Sequence, residues 1–145
     1  MTANAIVLHI DRDRVHAGDD DVPPYRMIRE TRALRGDITV GGAIDALTRG
    51  SDRYPLASVA GGATWALYGG PGVEKPYAAR AVALAVIAEG PQGFGEPRSL
   101  IDPDLALSRL AGADGSVEFH FHYLRGADPQ ETWRRLREDR GGRAT

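Results

Sequence analysis

His120 and His122, in SVEFHFHYL at 116–124, are the residues in this sequence whose type and spacing best suit chemistry. On an extended segment both imidazoles project from one face about 7 Å apart at the backbone, a spacing that fits one metal ion. Zinc would require a third protein ligand, and His9, Glu118 or an aspartate from residues 11–21 are the candidates. Such a centre would support metal-dependent hydrolysis, with zinc lowering the pKa of a bound water and a carboxylate acting as base. The simpler expectation is no cofactor, with both histidines as half-exposed sheet residues beside Glu118.

The second chemical feature is negative charge. Asp11, Asp13, Asp19, Asp20 and Asp21 surround Gly18 and run into Pro23-Pro24, which reads as a polar loop. Calcium binding by an EF-hand needs oxygen ligands at fixed odd positions and a distal glutamate, and that spacing is absent. A concentrated negative patch would instead steer a basic protein partner and reject wrong ones.

Much other chemistry is excluded. With no cysteine among the 145 residues, disulfides, thiolate metal sites and thiol nucleophiles are ruled out. The glycine-rich stretches GGPGVEKP at 69–76 and GPQGFGEP at 90–97 match neither a Walker pattern nor a GxGxxG opening a helix, and no GxSxG elbow occurs. The formal charge is -2, and every basic residue except Lys75 is arginine. Arginines cluster at 26–35 and 125–143, but acids dilute the second group and no aromatic stacking platform accompanies either. Nucleic acid is therefore not an expected partner. MTANAIVLHIDRDR lacks the charged and apolar regions of a secretory signal and the length of a membrane span, so a cytoplasmic location is expected.

The elements that must position these residues follow from periodicity. Residues 5–10 alternate as a half-buried strand, with Ile6, Leu8 and Ile10 on one face. A second strand is expected from Tyr25 to about Leu34, with Arg26, Glu30 and Arg32 toward solvent. Residues 37–49 predict a helix capped by Thr39, placing Val40, Ala43, Ile44 and Leu47 on one side. Strands are expected at 55–59 and 64–68, joined by Gly61-Gly62, and at 81–88. Asp102-Pro103 predicts a helix start carrying Leu105, Leu107 and Leu110 to a stop at Gly112. Residues 116–124 form the clearest strand, and Asp128-Pro129-Gln130-Glu131 opens a last helix anchored by Trp133 and Leu136.

The order strand, strand, helix, strand, strand, strand over 5–88, with the threonine-capped DITVGGAIDAL at 37–47, resembles the β-grasp, or ubiquitin-like, fold. The resemblance implies an α+β fold with a mixed sheet around one helix at 5–88; residues 99–145 lie outside it and read as a helix-strand-helix extension of a single domain over 1–145. AGDDD at 17–21 and ATW at 63–65 are also similar to uncharacterised bacterial proteins with an Asp-rich turn and an Ala-Thr-Trp strand. Gly141-Gly142 resembles the end of a ubiquitin-type modifier precursor. The β-grasp and bacterial likenesses bring no activity, because one fold hosts many functions. The expected function is a small protein-binding module, such as an immunity or accessory protein, that engages a basic partner through the acidic loop and a sheet face. Metal-dependent hydrolysis and a ubiquitin-like modifier are the alternatives.

Overall fold

The computed structural model describes residues 5–13, 30–49, 53–54, 56, 62–71, 82–90 and 93–143, the last five of these by backbone alone. Its framework is a mixed α/β arrangement of one curled sheet and two helices. The strands are β1 (Ile6–Arg12), β2 (Glu30–Leu34), β3 (Thr64–Pro71), β4 (Val82–Gly90), β5 (Gly93–Phe94), β6 (Arg98–Ser99) and β7 (Val117–Tyr123). The helices are α1 (Val40–Thr48) and α2 (Pro129–Arg143). No helix among the described residues is long and apolar enough to cross a membrane.

The sheet runs β2-β1-β7-β3-β4-β5, with β6 also paired to β4. The β1 and β7 strands are parallel, with Leu8 opposite Val117 and Asp11 opposite His120. The remaining pairs are antiparallel. Thus β7, from the region expected to extend a core at 5–88, lies inside the sheet between β1 and β3.

Period-two alternation divides each strand between two faces. On the inner face Leu8, Ile10, Trp65, Leu67, Ile87, Phe119 and Phe121 form the core with Val40, Ala43, Ile44 and Leu47 of α1. These helical positions recur at the spacing expected for one buried side. Thr39 caps α1 by accepting from the Gly42 amide at 3.0 Å.

Residues 102–106 differ from the expected helix. Their carbonyls serve α1: Leu105 O accepts from the Val40 amide and Pro103 O from the Gly41 amide, each at 2.8 Å. Asp102 caps locally, accepting from the Asp104 amide at 2.9 Å. Carbonyls turned toward the amide end of another helix cannot build an i to i−4 ladder of their own, so only a 3₁₀ turn at Leu107–Leu110 follows. Gly41 permits this close approach, because a Cβ there would lie 3.0 Å from Pro103 O.

The described part of the second strand is β2. Glu30 and Arg32 share the parity of Leu34 and turn inward, not toward solvent, where they pair with each other. Arg26 lies outside the described residues, as does the strand expected at 55–59 apart from Leu56, which is not in a strand.

The outer face is covered unevenly. Ala66 and Val86 are opposite each other and fully buried, although Ala66 shares the outer face with His122, its cross-strand partner on β7. The α2 helix packs against β4. Trp133 Nε1 donates to Ser99 O at 2.9 Å, and Arg98 Nη1 donates to Gln130 Oε1 at 2.7 Å. Gly141-Gly142 falls in the last turn of this helix. The outer face of β1 and β7 is where the histidines stand.

Candidate metal centre

His120 and His122 occupy alternate positions of β7 and reach the same face, as their spacing predicts. The residues that meet them come from the end of β1. Asp13 continues the parallel pairing beyond the strand, its amide donating to Phe121 O at 2.9 Å, so its side chain points along the histidine face. One carboxylate oxygen, Oδ1, is 2.9 Å from His120 Nε2, while Oδ2 is 2.7 Å from His122 Nδ1. The same Oδ2 accepts from the Tyr123 amide at 2.9 Å. Asp13 therefore joins both imidazoles and is itself oriented by backbone on two sides.

His120 has a second acidic neighbour. Its Nδ1 is 2.5 Å from Asp11 Oδ1, so each ring nitrogen faces a carboxylate oxygen. The electrostatic consequences follow directly. The Asp11 hydrogen bond raises the pKa of His120 above its ordinary value, outweighing the burial that opposes the charged ring. Burial also acts on Asp13, raising its pKa, but hydrogen bonds from the Tyr123 amide, His120 and His122 overcome it and leave the carboxyl below its ordinary value.

One potential ligand atom each from Asp13, His120 and His122 lies within 4.8 Å of the others. Tetrahedral zinc with bonds of about 2.0–2.1 Å separates neighbouring ligands by about 3.4 Å, the spacing these atoms would have to adopt to share one ion. Two imidazoles and one carboxylate suit divalent first-row transition metals. The side chains of His120, Asp13 and His122 are 28%, 33% and 49% exposed, which leaves the set half-buried yet open to an entering ion.

Of the proposed third ligands, the aspartate is the one brought to the pair. His9 is on the same face of β1 but its Nδ1 lies 3.2 Å from Thr31 Oγ1 on β2, outside the three-residue grouping. Glu118 is opposite His9 in the parallel register. Asp11 and Asp13, read from sequence as part of a patch offered to a basic partner, are directed at the histidines. Asp19, Asp20 and Asp21 lie outside the described residues.

Sequence reasoning missed Tyr68. This β3 residue is opposite His120 in the antiparallel register, and its ring meets His122 edge-on at 6.4 Å between centroids. A register shift between Leu67 and Tyr68 marks a bulge in the β3/β4 pairing beside it. Its parity with Ala66 was the available signal, but nothing in the sequence announced that β3 would be the neighbour of β7. Comparison of the chain with protein-family models, curated proteins and solved structures found no match.

Proposed function

We propose that this is a metal-binding protein of β-grasp topology, holding one divalent transition-metal ion of the zinc class through Asp13, His120 and His122. The topology is supported by the order β2-β1-β7-β3-β4, the parallel β1/β7 contact and the single core helix between β2 and β3. On this reading β7 completes the grasp, and the strands at 5–88 alone do not.

The observation that carries the metal reading is the convergence of three ligand atoms within 4.8 Å, supplied by β7 and by the residue that follows β1. The β7 backbone directs both histidines to one face, and the Phe121 carbonyl and Tyr123 amide hold Asp13 against them, which limits the conformational entropy to be lost on binding. The same carboxylate joining both histidines also reduces its usefulness as an exposed docking charge. Metal capture therefore accounts for the position of Asp13 better than recognition of a basic partner does.

Calorimetric zinc titration of the tag-free chain tests the proposal. One zinc per chain is expected for the native sequence, with no stoichiometric binding by the His120→Ala/His122→Ala double variant. Equal binding by both proteins, or none by either, refutes the assignment.

A further inference from the structure

We infer that Asp11 is a positioning residue for this centre: it accepts the Nδ1 proton of His120 and so leaves Nε2 as the nitrogen that ligates the metal. This inference rests on the metal reading above and assigns a role to a residue outside the ligand set.

The geometry is specific. Asp11 and His120 are Cα partners on adjacent parallel strands, and both project from the outer face. Asp11 Oδ1 is 2.5 Å from Nδ1, while the opposite ring nitrogen is 2.9 Å from Asp13 Oδ1. A neutral imidazole ligates through one nitrogen and retains its proton on the other, so the group beside the second nitrogen selects the tautomer. An ionised carboxylate only accepts, and its place beside Nδ1 requires the retained proton there. The side chains of His120 and Asp11 are 28% and 34% exposed, so water competes only partly for this bond.

His122 is arranged in the opposite sense. Its Nδ1 faces Asp13 Oδ2 at 2.7 Å. A metal held among these groups would thus be met by Nε2 from His120 and Nδ1 from His122. A pair of histidines two positions apart on one strand has no intrinsic reason to use different nitrogens. The difference arises because Asp11 occupies the Nδ1 side of His120.

The test uses the full tag-free chain and zinc alone as the probe. Zinc affinity is measured by competition with a chromophoric chelator for the native sequence, Asp11→Asn and His9→Gln. Long-range proton–nitrogen NMR of the zinc-loaded native protein assigns the protonated nitrogen of each imidazole. Asparagine is nearly isosteric but uncharged: its carbonyl accepts the Nδ1 proton more weakly than a carboxylate does, and its amide group can instead donate to a bare Nδ1, so the tautomer is no longer fixed. The expected loss of affinity for Asp11→Asn is about 10–100-fold, with His9→Gln unchanged. NMR should place the retained proton on Nδ1 of His120 and on Nε2 of His122.

Native and Asp11→Asn affinities within twofold of each other overturn the role of Asp11 while leaving the ligand set intact. A zinc-loaded His120 protonated on Nε2 does the same, and decides the matter even if Asp11→Asn fails to fold. No zinc uptake by the native chain overturns the centre and this inference together.

Discussion

On the proposed metal reading, Asp13 serves two tasks that pull in the same direction. Its carboxylate orders both histidines in the metal-free protein, and the same order places three donors around one point. Removing its charge with Asp13→Asn should abolish stoichiometric zinc binding and destabilise the metal-free fold by about 1 kcal/mol, because a charge-assisted bond counts for less where water screens it. Zinc titration and chemical denaturation would check the two effects separately. Protonation adds a signed prediction. His120 has its folded pKa above the unfolded value near 6.5, so its stabilising contribution is complete below that value and is lost as pH rises through the folded pKa. Asp13 has its folded pKa below 3.8, so its contribution is present above that value and is lost as pH falls through the folded pKa. Denaturation of metal-free protein across pH should therefore show these contributions together in the mildly acidic range, and His120→Ala should remove the decline on the alkaline side. The histidine pair was legible because period-two alternation operates within one strand. The involvement of Asp13 was legible only as one candidate among several, since more than 100 residues separate it from its partners and strand pairing at that range leaves no local signature.

At the scale of elements, legibility tracked how local the determinants were. The α1 helix is specified by a threonine cap and four apolar positions on one side, and it forms where that pattern predicts. Thr39→Ala should cost about 1 kcal/mol, measurable as a lower denaturation midpoint with an unchanged slope. The segment after Asp102 has an equally clear helix-start signal, yet tertiary demand overrides it because its carbonyls are bonded to the amides of Val40 and Gly41. Close packing between strands is similarly invisible from one segment. A Cβ on Gly69 would lie 2.6 Å from Leu84 Cδ1 and 3.1 Å from the Phe119 ring. Gly69→Ala should therefore overpack the core and destabilise the protein by about 1–3 kcal/mol. An unchanged melting temperature for this variant would contradict the tight β3/β7 packing described above.

For the molecule as a whole, the decisive feature is the insertion of a late strand into the middle of the sheet. The sequence announced most described strands, but their order depends on contacts distant along the chain, and β7 consequently read as an extension. Its place between β1 and β3 makes residues 5–98 an incomplete folding unit, with two unsatisfied strand edges and without Val117, Phe119 and Phe121 in the core. A fragment ending at residue 98 should lack a cooperative thermal transition, whereas the full chain should show one. The same insertion brings the β1 aspartates and β7 histidines together, so fold and site depend on one parallel pairing. The most direct measurement is an anomalous difference map at the zinc absorption edge from crystals of the tag-free, zinc-loaded protein. The account predicts one strong peak about 2.0–2.2 Å from an Asp13 carboxylate oxygen, His120 Nε2 and His122 Nδ1. A map with no peak among these three side chains, or with zinc bound only elsewhere, would contradict it.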